Sequence, residues 1–168
     1  MVPACIYEGD TIPSLHMPTL YVFKPLIFKN KREQQSYNRL VRNVKRTLPI
    51  AKEVNRAIIE TYEFLQTLPD EKARQKHLNL VEKSVKEQYT PRLKKLSFSQ
   101  GKLLIKLINR ETDSSSYELV KAFLGSFKAG FYQAFAALFG ASLKKEYHPD
   151  GEDALTERIV ILVENGQL

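Results

Sequence analysis

Two periodicities divide the chain. Up to about residue 28, short β-leaning runs alternate with prolines. Beyond it, apolar residues recur at three- and four-residue spacing, the mark of helices packed along one face. In the first part, Ala4-Cys5-Ile6-Tyr7 and Thr19-Leu20-Tyr21-Val22-Phe23 favour extended backbone, and Glu8-Gly9-Asp10 supplies turn chemistry. Pro3, Pro13, Pro18 and Pro25 exclude a central strand. The pattern predicts a small β-hairpin or extended arm over residues 1–28, able to pair with itself, lie on the helices or add to another chain's sheet.

Residues 29–168 read as one helical domain. Tyr37, Val41, Val44, Leu48, Ala51, Ile58, Tyr62 and Leu65 form a seam that keeps its phase through Pro49, which predicts one long helix kinked at the proline. Arg39, Arg42 and Arg46 project on the side away from the seam. Leu68-Pro69-Asp70 ends this helix, with Asp70 as N-cap of the next. The second stripe is Leu78, Val81, Val85, Tyr89, Leu93 and Leu96. It stays in phase across Pro91, so a bent helix and a break at Thr90 are both open, because the residue before proline avoids helical backbone.

Ser97 and Gln100 fit a capping box that opens a third helix with Leu103, Leu104, Leu107 and Ile108 inward and Lys102, Lys106 and Arg110 on another face. Ser115 and Glu118 make a second box, opening a nearly apolar helix in which Phe123, Phe127, Phe131, Phe135 and Phe139 stand four residues apart. At about 100° per residue these rings wrap about 160° of one helix and need neighbours on several sides. Lys128 and Gln133 interrupt the apolar run, which is shorter than a bilayer requires. It reads as the buried axis of the fold, with Gly140 at its end. A last helix, from about Glu152 to Glu164, presents Leu155, Ile159, Leu162 and Val163. The fold class is therefore mostly α: a single-domain bundle packed round the Phe-rich helix, with a short N-terminal β-hairpin or extended arm.

Charge alters this picture in one place. The chain carries a formal net charge of +7, but the ten Lys/Arg and two acidic residues between Lys24 and Arg56 account for all of that excess. Arg39, Arg42, Lys45, Arg46, Lys52 and Arg56 form the candidate binding set, suited to nucleic acid, anionic lipid or an acidic partner. The same helix spends its other face on the core, so a groove-reading recognition helix is not indicated. A single cysteine excludes intramolecular disulfides and Cys-rich zinc sites.

Candidate chemistry is sparse. No HExxH, P-loop, GxSxG or GxGxxG occurs, and nothing calls for a cofactor. Tyr147, His148, Asp150, Glu152 and Asp153 cluster without calcium-loop spacing, so no metal site is assigned. Arg110, Glu111, Tyr117 and His148 are the catalytic candidates: the first two can orient a substrate or transfer protons, or pair across a bundle corner. The first thirty residues hold prolines and charges where a signal peptide would carry an apolar stretch.

The runs Tyr7-Glu8-Gly9-Asp10-Thr11-Ile12-Pro13, Tyr37 to Lys45, Leu96 to Thr112, Ser115-Ser116-Tyr117 and Glu152 to Gly166 resemble an uncharacterised bacterial family of predicted exported proteins, a domain of unknown function. The resemblance spans nearly the whole chain. It implies an exported or periplasmic location and carries no activity, cofactor or catalytic residue with it. The reading that follows is a non-enzymatic, envelope-associated binding or scaffold protein, with an envelope protein or an anionic lipid or glycan surface as partner. A hydrolase-like enzyme using the polar helix-end loops and a nucleic-acid binder using the basic helix are the alternatives.

Overall fold

The first helix, α1, runs unbroken from Lys31 to Gln66 in the computed structural model, which describes residues 3–15, 17, 19–113 and 147–168. Asn30 caps it, its Oδ1 accepting from the Glu33 amide at 2.9 Å, while Glu33 returns a bond from the Lys29 amide at 2.7 Å. Two donors at the helix start are thereby satisfied. Pro49 lies inside α1 on the exposed side, where its missing N–H is least costly. The expected single long helix is therefore present.

Helix α2 (Glu71–Leu93) starts at Asp70, whose Oδ1 accepts from the Ala73 amide at 2.7 Å. It continues through Pro91, which settles the alternative of a break at Thr90 in favour of one helix. Helix α3 (Phe98–Asp113) opens on the expected reciprocal box: the Gln100 amide donates to Ser97 Oγ at 3.3 Å, and the Ser97 amide to Gln100 Oε1 at 3.0 Å. The Phe-rich segment, Tyr117 and the Ser115–Glu118 box lie outside the described residues, as does the side chain of Val85.

Helix α4 (Ala154–Glu164) begins two residues later than expected. The Asp153 side chain is turned inward to other partners, so it makes no cap bond. The inward face also differs. Thr156, Ile159 and Val160 are buried, whereas Leu155 is 40% exposed. The buried arc is centred one residue further round, and Leu155 falls at its edge in the first turn. At the other end, Gly166 has φ 67°, the Gly166 amide reaches Val163 O at 3.2 Å, and the Gln167 amide reaches Leu162 O at 2.8 Å. This is a Schellman ending, and it turns Gln167 back toward the start of the chain.

Among the described residues, the core lies between α1, α3 and α4, closed by the end of α2. Val44, Leu48, Ala51, Val54 and Ile58 of α1 meet Leu104, Ile105, Leu107 and Ile108 of α3, together with Leu93, Ile159 and Val160. Each fully buried aliphatic side chain contributes about 1.5–3 kcal/mol relative to exposure. Tyr37, Val41 and Tyr62 pack on its margin, and Leu65 is buried, so the α1 seam is as expected.

The arm has two parts. β1 (Ala4–Tyr7) and β2 (Asp10–Pro13) form an antiparallel hairpin with Tyr7 opposite Asp10. Glu8 and Gly9 both have positive φ, 51° and 92°, as a two-residue type I′ turn requires. Every strand residue is exposed. The Thr19–Phe23 run is not a strand. It is extended chain bound to the helices instead: the Tyr21 amide donates to Gln167 Oε1 at 3.1 Å, and Gln167 Nε2 donates to Tyr21 O at 3.0 Å. Arg158 stacks over Phe23 at 4.9 Å and donates to Lys24 O at 2.7 Å, and Phe28 packs on Tyr37 at 5.4 Å.

Candidate functional site

Two polar regions contain the sequence-derived candidates. The first is at the α3–α4 seam. Lys106 and Arg110 stand four residues apart on α3 and face Asp153 and Glu157, also four apart. Arg110 grips Glu157 with two bonds, Nε to Oε2 at 2.7 Å and Nη2 to Oε1 at 2.8 Å. It also contacts Glu111 through Nη1 at 2.7 Å and Glu164 through Nη2 at 3.3 Å. The Arg110 and Glu157 side chains are only 18% and 19% exposed. Tyr147 donates its hydroxyl to Glu157 Oε2 at 2.7 Å.

These contacts set the protonation states. Burial pushes the Glu157 carboxyl up, but the bonds from Arg110 and Tyr147 outweigh it and hold the group below the usual carboxylate range. Burial, then donation to the Glu157 anion, pushes the Tyr147 phenol far up, so it remains a donor. Burial draws the Arg110 guanidinium down, while Glu157 and its acidic neighbours more than restore it. Lys106 follows the same pattern: burial opposes its charge, and bonds to Asp153 at 2.7 Å and Glu152 at 2.8 Å raise it. Asp153 Oδ2 also accepts from the His148 amide at 3.2 Å.

Arg110 and Glu111 therefore share one cluster, which Tyr147 and Glu157 complete. His148 joins it only through its backbone, and its side chain is exposed. Tyr117 lies outside the described residues. Tyr147, Glu157 and Lys106 are participants that sequence reasoning did not assign. The signal for Lys106 and Glu157 was the matched four-residue spacing of Lys106 and Arg110 on α3 with Asp153 and Glu157 at the start of α4; Tyr147 carried none. Chemically the cluster is an ion-pair lock: a protonated phenol, an ionised carboxylate and a guanidinium whose donors are engaged. Among the described residues no group of three or more His, Cys, Asp or Glu side chains is arranged to hold a metal ion.

The second region is the outer face of α1. Arg39, Arg42, Lys45, Arg46, Lys52 and Arg56 are all exposed. Lys52 pairs with Glu164 at 2.6 Å, and Arg46 donates to Lys95 O at 3.1 Å. Arg56 acts through space on Glu53, whose carboxyl is lowered mainly by its hydrogen bond from Arg92. Among the described residues, no carboxylate lies within ion-pair distance of Arg39, Arg42 or Lys45. Apart from both regions, an open groove of about 270 Å³ between α1 and α2 is walled by Phe64 and His77, whose tilted rings lie 4.4 Å apart.

The model of the family described as "Domain of unknown function (DUF4294)" matches residues 10–162, from the second strand of the hairpin almost to the end of α4. The chain belongs to the DUF4294 family. The match contains the cationic face and, apart from Glu164, the ion-pair lock of this DUF4294 domain. No curated protein and no solved structure shows a significant match to the chain.

Proposed function

We propose that this DUF4294 chain is a non-enzymatic binding or scaffold protein of the bacterial cell envelope, which engages an anionic component through the outer face of α1. The observation that carries the reading is the contrast among its cations. Lys52, Arg92, Lys106 and Arg110 each hold a carboxylate. Arg39, Arg42 and Lys45 are exposed on one helix with no described acidic partner. Like charges at three-residue spacing repel one another, and a phosphate- or carboxylate-bearing partner relieves that repulsion. The resemblance to exported proteins supports an envelope setting.

The enzyme reading loses support from the same geometry. Of the described candidates, Arg110 is committed to Glu157 and its neighbours, and His148 meets the cluster through its backbone amide while its side chain stays exposed outside it.

The test is a salt titration of binding to a soluble anionic polysaccharide and to anionic vesicles, using the wild type and R39E/R42E/K45E. The wild type is expected to bind at low salt and weaken steeply as salt rises, and the variant to lose at least tenfold. Equal binding by the two proteins would remove this reading. Duplex DNA in the same assay separates the nucleic-acid alternative: tighter binding to DNA than to either envelope mimic would replace the envelope proposal.

A further inference from the structure

The segment over residues 20–29 combines a fixed backbone with outward apolar side chains. Its backbone is held by Gln167 at Tyr21 and by Arg158 at Lys24, and its inward rings are held by Arg158 at Phe23 and Tyr37 at Phe28. Beside the first anchor and between the others, Leu20, Val22 and Ile27 point away from the protein and are 70%, 86% and 90% exposed. A mobile tail can hide such side chains by collapsing on itself; an anchored strap cannot. Large exposed aliphatics gathered on one short segment mark a contact surface.

The charges around the strap specify what it contacts. Lys24 and Lys29 are interleaved with the aliphatics, and Lys31 and Arg32 follow at the start of α1, all exposed. Arg39, Arg42 and Lys45 continue along the same helix, where Lys31 to Lys45 spans about 21 Å. Residues 20–32 contain no acid, and the first one, Glu33, is turned to the Lys29 amide at the helix cap. Aliphatic side chains flanked by Lys and Arg, with no acid among them, match the anionic bilayer surface, where headgroups meet the cations and the acyl boundary takes the aliphatics.

We infer that this strap is a membrane-surface anchor: Leu20, Val22 and Ile27 enter the outer acyl region of an anionic bilayer while Lys24, Lys29 and the cations of α1 hold its headgroups. This rests on the anion-binding reading and adds the bilayer as the partner. Association is peripheral, since among the described residues no helix is long and apolar enough to cross a membrane. Neither apolar contact nor basic patch alone gives stable attachment; the two together do.

The chain contains no tryptophan, so V22W supplies a unique optical probe at a fully exposed position. With vesicles of equimolar phosphatidylcholine and phosphatidylglycerol, its emission is expected to shift to the blue and become shielded from an aqueous quencher. In parallel, L20S/V22S/I27S is expected to lose at least tenfold in vesicle affinity while retaining wild-type binding to a soluble anionic polysaccharide. Unchanged V22W emission on vesicle-bound protein overturns the inference, as does full vesicle binding by the serine variant. Binding to the polysaccharide but not to vesicles sinks the bilayer anchor alone. Binding to neither sinks the anion-binding reading with it.

Discussion

Glu157 is the residue at which burial and charge compete most directly. Its carboxylate is ionised because Arg110 and Tyr147 together supply three bonds to it. Truncating Arg110 to Ala strands that anion and is expected to cost about 3 kcal/mol in urea unfolding. Replacing both partners, R110M/E157L, is expected to recover part of the loss, because the apolar pair needs no counter-charge while Glu111 and the Tyr147 hydroxyl each lose a bond. Y147F removes one charged hydrogen bond and should cost about 1.5–3 kcal/mol. The pH dependence has a definite sign. The folded carboxyl titrates below the ordinary 4.5, so the stabilisation is complete above that pH and disappears as pH falls through the lower folded value. Acid unfolding followed by circular dichroism should therefore be less steep in E157Q than in the wild type. An identical acid limb in both would mean that Glu157 does not govern it. The cluster was only partly legible from sequence. Spacing of Lys106 and Arg110 against Asp153 and Glu157 was present in the chain, but which acids a helical cation meets depends on how two helices lie together, which spacing alone leaves undetermined.

At the scale of elements, signals that act within a few residues were readable. Asp70 and the Ser97–Gln100 box cap the helices they were expected to cap, since each bond closes over three residues. S97A and D70A should each lower stability by about 1 kcal/mol in thermal or urea unfolding. The seams of α1 and α3 were also legible, because a three-four pattern extending over many turns has only one apolar face. L104A, at a fully buried position on that face, is expected to cost about 2–5 kcal/mol. Where the pattern is short, it misled. Helix α4 has only 11 residues, and a rotation of one position moved Leu155 out of the core and Val160 in. Thr19–Phe23 has strand composition but finds a side-chain amide instead of a neighbouring strand. Gln167 imitates one residue of backbone, a contact with no periodic signature.

Across the whole molecule, the charge excess between Lys24 and Arg56 sits on a surface that the core does not need. Reversing Arg42 should leave thermal stability unchanged or raise it by a few tenths of a kcal/mol, since it turns like-charge neighbours into opposite ones. Stability and anion binding would then move in different directions, which a melting curve and a binding isotherm on the same R42E sample can record. The strap carries a kinetic consequence of its own. Its Tyr21–Gln167 contact closes a loop across 146 positions, and both of its bonds are solvent-exposed. Because both bonds are exposed and lie outside the core, Tyr21 is expected to open early in unfolding. Its amide should exchange with deuterium well before those of Val44 or Leu104, and substitutions at Gln167 should speed unfolding while leaving the refolding rate unchanged.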